Sequence, residues 1–324
     1  MIKAAICGMG NWGQTLVNAV QGKSDKIRFA AGVVRVPEKY AQYAERAGVS
    51  LATDFENVLR DPEIDAVVLA TPHSLHANQI KQAAAAGKHV FVEKPFTLTR
   101  GSAEEAVQAC KDAGVTLFVG HNRRYLPSLN DMKKIIDGGR IGKILHVEGQ
   151  HSGPSGYKPK PDSWRATRAE NPAGGMAPRG IHTLDAMIYL NGLVQSVFAM
   201  SERLQIPLEM DDTTSMLCRF QNGTTGYLGT VIATANFWRI HVFGSKGWVE
   251  MRGPKALKIV DLDGAVEDKA YEDIDIQRAE LEAFAEAVRG GKPFVEAPEE
   301  IINGIAVIEA MVESTQTGAA VEIN

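Results

Sequence analysis

Residues 4–13 read Ala-Ala-Ile-Cys-Gly-Met-Gly-Asn-Trp-Gly, an apolar run that leads directly into a glycine-rich turn. The glycines have the spacing G-x-G-x-x-G, which joins a first strand to a helix in dinucleotide-binding folds. In that setting Gly8 permits a tight turn, Gly10 lets the backbone approach a pyrophosphate, and Gly13 lets the helix pack on the strand. Glycines that only form a turn are the alternative reading. The predicted cofactor-binding loop comprises Gly8, Met9, Gly10, Asn11, Trp12 and Gly13.

Downstream of this loop, short apolar segments alternate with helical segments, which predicts a parallel sheet covered on both faces. One of the helical segments, Asn78 to Ala86, is followed by Gly87, a typical helix stop. We therefore predict an α/β fold whose N-terminal part is a doubly wound Rossmann domain. Its predicted strands are Ala4 to Cys7, Phe29 to Val34, Ala66 to Ala70, Val90 to Val92 and Val115 to Val119.

The pattern changes after His121, where strand-like segments follow one another with tight turns and helices become rare. Asn222-Gly223 predicts a type I′ hairpin turn, and Ser245-Lys246-Gly247 a second turn. Helices return at Ala279 to Val288 and Pro298 to Ser314. We predict two domains, 1–121 and 122–324, the second an α+β domain with a large, mainly antiparallel open sheet. Its predicted strands are Ile144 to Gln150, Val197 to Leu204, Thr213 to Phe220, Thr224 to Val231, Ile240 to Phe243 and Trp248 to Met251.

Composition excludes several classes of protein. The chain of 324 residues is 44% apolar and 23% charged, as in folded globular proteins, and its net charge of -4 argues against a nucleic-acid partner. No apolar run reaches the roughly 18 to 20 residues that span a bilayer, and residues 1–3 lead into a strand without a signal-peptide pattern. We expect no membrane partner and a cytoplasmic location. Cys7, Cys110 and Cys218 are far apart, which favours buried thiols over disulfides or a metal site.

The end of the second predicted strand bears on cofactor choice. An NAD-binding fold places an acidic residue there for the adenosine ribose, but the sequence has Arg35. Arginine can pair with a 2′-phosphate and stack on adenine, so NADP is slightly favoured over NAD. A solvated surface arginine is the alternative.

Two further predicted strands end in polar clusters. The third leads into Thr71, Pro72, His73 and on to His76, and the fourth into Glu93, Lys94 and Pro95. Because ligands bind at the carboxyl ends of parallel strands, we expect Lys94 and His76 to project into the cofactor crevice. The residues assigned to cofactor binding at these two strand ends are Thr71, Pro72, His73, His76, Glu93, Lys94 and Pro95.

With these motifs the sequence resembles the Gfo/Idh/MocA family, the glucose-fructose oxidoreductase and inositol dehydrogenase group. The likeness extends over the whole chain, from the glycine loop to the closing helices. Its main motifs are Thr71 to His76, Ala86 to Pro95, Val119-Gly120 with Asn122 to Tyr125, Gly174-Gly175 with Gly180 to His182 and Asp185, and Leu281 to Phe284.

The resemblance implies that Lys94 lies beside the nicotinamide and the substrate, that the Lys94-Pro95 bond is cis, and that His182 is the acid/base for the substrate hydroxyl. A histidine suits proton transfer near neutral pH. For Lys94 the alternative is a surface salt bridge with Glu93. For His182 the alternative is a core histidine whose ring nitrogens are hydrogen-bonded within the protein. On the predicted helix Gly180 to Leu190, an apolar stripe would pack on the sheet while His182, Asp185 and Tyr189 share the face toward a cleft.

One position departs from the family pattern. Many members carry an aspartate four residues before this histidine, where the sequence has Pro178 followed by Arg179. Asp185 is the nearest candidate to replace it, and the loss also leaves room for a member without catalysis.

A long irregular segment precedes the helix, from Ser152 to Arg179, and such segments are often functional. Its basic excess would suit a carboxylate or phosphate on the substrate and its aromatic faces a sugar ring. A solvated loop or a subunit contact is the alternative. The predicted substrate-binding residues are Lys94, Asn122, Arg124, Trp164, Arg165, His182 and Asp185.

The leading hypothesis is an NAD(P)-dependent oxidoreductase that moves a hydride between nicotinamide and a secondary alcohol or ketone carbon of a sugar, polyol or derivative. Lys94 and His182 are the predicted catalytic residues, and no metal is expected. The alternatives are a non-catalytic dinucleotide sensor, which Pro178 favours, and an NAD-dependent glycoside hydrolase of the same family. The serial strands need a cover on their outer face, and family members associate through that face, so we expect a homodimer or homotetramer.

Overall fold

The computed structural model describes residues 1–172 and 174–323. Its strands are β1 (Ile2–Cys7), β2 (Ile27–Val33), β3 (Ser50–Ala52), β4 (Ala66–Leu69), β5 (His89–Val92), β6 (Leu117–Val119), β7 (Ile144–Ser152), β8 (Val194–Glu202), β9 (Thr213–Phe220), β10 (Thr225–Val231), β11 (Phe237–Gly244), β12 (Gly247–Arg252), β13 (Ala256–Asp261), β14 (Val266–Ala270) and β15 (Val321–Glu322). Its α-helices are α1 (Asn11–Val20), α2 (Ala41–Ala47), α3 (Phe55–Arg60), α4 (His73–Ala85), α5 (Arg100–Ala113), α6 (Pro127–Asp137), α7 (Gly180–Asn191), α8 (Ile276–Arg289) and α9 (Pro298–Thr317).

The chain forms two compact units, and each is discontinuous in sequence. The first comprises Met1–Thr97, Gly101–Asn122 and Asp275–Pro298, and the second Leu98–Arg100, Arg123–Ile274 and Glu299–Asn324. The boundary predicted from the sequence, after residue 121, placed residues 275–298 in the second domain. In the structure this segment, which contains α8, belongs to the first unit.

The first unit is built on a six-stranded parallel sheet in the order β3-β2-β1-β4-β5-β6. This is the predicted doubly wound Rossmann arrangement. Phe284 of α8 explains why the late segment belongs here, because its ring packs edge-on against the stacked rings of Phe91 and Phe118. All three rings are buried. Burial of large aromatic side chains is a major source of folding free energy.

The second unit is built on a nine-stranded sheet in the order β14-β13-β12-β11-β7-β10-β9-β8-β15. All neighbours are antiparallel except β7 and β10, which run parallel, so the predicted mainly antiparallel sheet is confirmed. Helix α7 packs on β7 and β10. A side chain at Gly149 of β7 would collide with Thr183 of α7, so this glycine lets the helix approach the sheet closely.

The hairpin between β9 and β10 corrects the predicted turn type. Gly223 has a φ of 86°, whereas no non-glycine among residues 1–172 and 174–323 has a positive φ, so Asn222 does not take the type I′ conformation. The N–H of Gly223 bonds to the carbonyl of Phe220, and the N–H of Phe220 bonds to the carbonyl of Thr224. The loop is longer than two residues, and a single left-handed glycine is enough to close it.

Several elements extend or shift the predicted ones. Helix α4 begins at His73, five residues before the predicted start, so the segment from His73 to His76 is a first helical turn and not part of a strand-end loop. Helix α6, with Pro127 at its first position, and strands β3, β13, β14 and β15 were not predicted. No helix in the described part of the chain is long and apolar enough to cross a membrane.

Candidate active site

The glycine loop of the first unit has three different environments at its three glycines. Gly8 has a φ of 93°, and a Cβ there would lie 2.6 Å from the carbonyl oxygen of Ala70. A Cβ at Gly13 would collide with the carbonyl oxygen of Gly8, whereas a Cβ at Gly10 would meet nothing within 4 Å. Gly8 and Gly13 are therefore required by the protein's own packing, and Gly10 borders open space where a ligand can approach the backbone.

Helix α1 begins immediately after Gly10, and no side chain of its N-cap residue accepts a bond from the first-turn N–H groups. An uncapped helix N-terminus with its positive dipole end suits a phosphate. Met9 is buried and Asn11 is exposed, while Trp12 is half-buried. The open cradle at Gly10 and the adjoining helix terminus fit a dinucleotide pyrophosphate.

Arg35 lies just beyond the end of β2 and is exposed. Its position at the carboxyl end of a strand next to β1 is where the adenosine ribose of a dinucleotide binds in Rossmann folds.

His76 holds the segment after β4 in place. This role differs from the predicted one, in which His76 projects into the cofactor crevice. His76 is fully buried, with Nδ1 3.0 Å from the carbonyl oxygen of Pro95 and Nε2 3.2 Å from that of Thr71. It does not project into a crevice, because as the fourth residue of α4 its ring points into the turn that precedes the helix. His76 instead ties together the two segments that follow β4 and β5. Thr71, Pro72 and His73 are half-buried.

The Glu93-Lys94-Pro95 segment follows β5. The Lys94-Pro95 bond is cis, as the family resemblance implied. Glu93 is buried and Lys94 is half-buried, and Glu93 Oε2 accepts a bond of 3.3 Å from the backbone N–H of Lys94. Burial raises the pKa of Glu93 above its usual value, against the opposing influence of Trp12, Lys94 and His121.

A buried pair that sequence reasoning missed lies near Glu93 in the same unit. His121 Nδ1 is 2.8 Å from Glu296 Oε2, and both side chains are buried. Glu296 is 175 residues away in sequence, in the segment after α8, so no local pattern could have paired them. The pair connects the segment just after β6 to the segment after α8.

In the second unit, His182 lies in the first turn of α7, and its side chain is buried. The predicted two-faced helix is wrong in one respect, because α7 is buried on nearly every side and only Tyr189 is half-buried. The sheet packs on one side of it and the preceding irregular segment on another.

Two residues that the sequence did not single out stand beside His182. The rings of His151 and His182 are 6.3 Å apart, and the Trp238 ring stacks on His151 at 5.2 Å. Trp238 Nε1 donates to Thr183 Oγ1 at 3.1 Å, and His151 Nδ1 lies 3.1 Å from the carbonyl oxygen of Arg179. His151 and Trp238 are directly paired across β7 and β11, so strand register is the only signal that brings them together.

Asp185 and Arg124 were both predicted to bind substrate, and the structure pairs them with each other. Arg124 donates to both carboxylate oxygens of Asp185, at 2.7 Å to 3.1 Å, and contacts Glu300 at 2.8 Å. Its guanidinium also lies over the Tyr189 ring. The carboxylate of Asp185 is therefore committed to an ion pair, which makes it a poor replacement for the absent aspartate.

The irregular segment between β7 and α7 is partly ordered by short 3-10 turns and a small apolar cluster. Arg165 lies 4.1 Å over the Trp164 ring, and Arg168 pairs with Asp211 at 2.7 Å. The cluster that anchors the segment to the loop before β9 consists of Ala166, Ile206, Leu208, Met210 and Ile232. Asn122, another predicted substrate residue, is buried in the first unit.

Comparison with known proteins assigns the chain to a family. Residues 2–121 match the model of the oxidoreductase family with an NAD-binding Rossmann fold, and residues 129–250 match the GFO/IDH/MocA C-terminal domain. The chain belongs to the Gfo/Idh/MocA family. The recognition made from the motifs is thereby confirmed, and the N-terminal match supports a nicotinamide dinucleotide as cofactor.

Members of this family resemble the chain along much of its length. An uncharacterized oxidoreductase of Bacillus subtilis is 30% identical over 74% of this chain and 72% of its own length. The scyllo-inositol 2-dehydrogenase (NAD(+)) of the same organism is 29% identical over 100% of this chain and 96% of its own length. The structure of an aldose-aldose oxidoreductase from Caulobacter crescentus has a TM-score of 0.88 at 27% identity, with 99% of both chains covered. For an uncharacterized oxidoreductase of Streptococcus pneumoniae, the match spans only about half of that protein, 53%.

Proposed function

We propose that this protein is a nicotinamide-dependent oxidoreductase that interconverts a secondary alcohol and a ketone on a sugar, a polyol or a derivative. The observation that carries the proposal is the open backbone at Gly10 between two glycines crowded by the protein itself. Family membership and relatives named as inositol dehydrogenases support the same chemistry.

In the proposed mechanism, His182 exchanges the proton of the substrate hydroxyl and Lys94 donates a hydrogen bond to the reacting oxygen. The nicotinamide supplies or accepts the hydride when it is bound. A lysine ammonium near the oxygen stabilises negative charge that develops there. The stacked pair of His151 and Trp238 lies on one side of the His182 ring, with the two histidine rings 6.3 Å apart.

Absorbance of the reduced nicotinamide, followed with both cofactors against sugars, polyols and their keto forms, tests the proposal. Turnover of at least one secondary alcohol or ketone is expected. If dinucleotide binds but no compound of a broad panel is oxidised or reduced, the proposed activity is wrong.

For the cofactor we propose NADP(H) in preference to NAD(H), because exposed Arg35 follows β2 where an acidic residue would select NAD. Arg35→Asp should erase or reverse the preference, since charge-assisted hydrogen bonds contribute about 1.5 to 3 kcal/mol each. Titration of both cofactors measures this. Equal or tighter NAD(H) binding by the unaltered protein would contradict it.

We also propose a homodimer or homotetramer formed through the face of the large sheet that α7 leaves uncovered. Leu217 of β9 is 56% exposed and pairs with Phe198 and Tyr227 on its two neighbouring strands, and Met200 of β8 is 61% exposed. Light scattering at micromolar concentration should give a multiple of the chain mass, and a monomer mass would refute the proposal. The cytoplasmic location stays a prediction.

A non-catalytic sensor is the second candidate, and Pro178 in place of an aspartate favours it. A sensor would bind dinucleotide with similar affinity yet show no turnover. The same absorbance screen, combined with calorimetric titration of the dinucleotide, separates the two functions.

A further inference from the structure

Arg179 carries a half-buried positive charge, and its contacts with the described residues are all with neutral groups. Its Nε donates to Ser155 Oγ at 2.9 Å, Nη1 to the carbonyl oxygen of Ser152 at 3.0 Å, and Nη2 to Asn236 Oδ1 at 3.3 Å. A guanidinium has five N–H donors, so these contacts use three of them. Within residues 1–172 and 174–323 no carboxylate contacts Arg179.

Other arginines of the same unit have acidic partners. Arg124 contacts Asp185 and Glu300, and Arg168 contacts Asp211. Burial lowers the pKa of Arg179 below its usual value, and among the residues that the structure describes no acid counteracts this effect. A charge that is removed from water without a counter-ion is costly, so this position favours an anion supplied from outside the chain.

Arg179 is close to His182 through its backbone, because its carbonyl oxygen accepts a bond of 3.2 Å from the His182 N–H and lies 3.1 Å from His151 Nδ1. A Cβ at Gly153 would lie 2.5 Å from Arg179 Nη2, so the guanidinium sits over Gly153, just past the end of β7. Two residues along an extended chain span about 6.6 Å, which is the spacing from Gly153 to His151. The His151 ring is in turn 6.3 Å from the His182 ring.

We propose that Arg179 binds a carboxylate of the substrate, so that the preferred substrates are sugar acids such as uronates or aldonates. This proposal rests on the proposed oxidoreductase function and adds the substrate class. The planar fork of an arginine matches a carboxylate with two parallel N–H donors.

Isothermal titration of the protein saturated with reduced dinucleotide tests the proposal with matched probes. D-Glucuronate and D-galacturonate are compared with D-glucose and D-galactose, and glucose 6-phosphate is included as a second anion. The uronates should bind roughly 10- to 100-fold more tightly than the neutral sugars, as expected for one charge-assisted contact. Tighter binding of glucose 6-phosphate than of the uronates would overturn the carboxylate assignment.

Two variants locate the effect at Arg179. Arg179→Gln should remove the preference for uronates and leave neutral-sugar binding within about 3-fold. Because Arg179 also holds Ser152 and Ser155, this variant could fail to fold, so Asn236→Asp provides an independent test. Asn236→Asp keeps Arg179 but places a carboxylate against Nη2, and it should weaken uronate binding by a similar factor.

Arg168→Gln is the matched control, because it removes a positive charge from the same segment, at an exposed side chain that is paired with a carboxylate of the chain, Asp211. It should leave the preference unchanged. Loss of the preference in Arg168→Gln, or its persistence in Asn236→Asp, would contradict a specific role of Arg179.

The outcomes separate this proposal from the proposed function. If neutral sugars are oxidised and uronates neither bind nor react, the carboxylate proposal fails and the oxidoreductase proposal stands. If uronates bind in an Arg179-dependent way but no compound is oxidised or reduced, the binding site stands and the activity fails. If no sugar or sugar acid binds, the carboxylate proposal is overturned.

Discussion

The glycine loop before α1 and the entrance to α7 are both candidate ligand sites, and they are built in different ways. In the glycine loop the backbone forms the site, and three glycines within six residues define its shape. At the entrance to α7, side chains from β7, β11 and the intervening segments converge, and charge pairing determines which of them can bind a ligand. A site formed by the backbone can therefore be recognised from consecutive residues of the sequence. A site formed by side chains depends on which residues of distant strands pair with each other.

The sharpest test of the backbone site compares two of its glycines. Gly13→Ala should destabilise the protein by about 3 kcal/mol, because its Cβ would collide with the Gly8 carbonyl. Gly10→Ala, the matched control, should change stability by less than about 1 kcal/mol, yet weaken dinucleotide binding by about 10-fold because the methyl group fills the cradle. Urea unfolding and cofactor titration measure the two effects. Equal destabilisation by both changes would contradict the assigned roles.

In the second unit, the carboxylate of Asp212, just before β9, should make the stability of the protein depend on pH. Asp212 is buried and accepts backbone N–H bonds from Leu204, Gln205 and Ile206, and these bonds lower its pKa below the usual value. The native state is therefore stabilised above the unfolded pKa near 3.9, and this contribution is lost as pH falls through the lower folded pKa.

Asp212→Ala should cost about 2 kcal/mol at pH 7 and reduce the difference in stability between pH 5 and pH 3. Denaturant unfolding at the three pH values measures this. An unchanged acid dependence in the variant would show that Asp212 is not responsible.

The stacked pair beside His182 should have a smaller effect. Trp238→Phe keeps the ring on His151 but leaves Thr183 Oγ1 without its indole donor, so stability should fall by about 1 kcal/mol. Thermal unfolding measures the change. A loss above about 3 kcal/mol would indicate a packing role in place of the hydrogen bond.

Pro178→Asp probes the departure from the family pattern. In a working enzyme the new carboxylate beside Arg179 should be neutral or lower turnover by up to about 10-fold, because it competes for the guanidinium. Steady-state turnover measures this. A clear gain of activity from an inactive parent would favour the sensor.

Much of the first unit could be predicted from sequence, for reasons that particular residues illustrate. Apolar runs such as Ala66–Leu69 are buried strands. The spacing of Gly8, Gly10 and Gly13 predicts the tight turn between β1 and α1, because the residues that form this turn are close in sequence. His76 was placed wrongly because the start of α4 at His73 turns its ring inward.

The second unit was less predictable because its contacts join distant segments. The pairing of Arg124 with Asp185 spans 61 residues, and that of His151 with Trp238 depends on the register of β7 against β11. Arg179 was noted in the sequence beside Pro178 and at the end of a basic segment but was given no role, because the sequence does not show that its described neighbours are all neutral. The residues proposed for catalysis, Lys94 and His182, came from the family resemblance.

The most direct test of the account is the turnover of His182→Ala with the substrate found in the absorbance screen, together with its dinucleotide affinity. The account predicts that kcat falls by roughly 100-fold or more, because general acid–base catalysis contributes about 10² to 10⁴. Dinucleotide affinity should stay within about 3-fold of the unaltered protein, since the cofactor cradle is formed by the glycine loop. A kcat within about 3-fold of the unaltered protein would contradict the assignment of His182 as the acid/base.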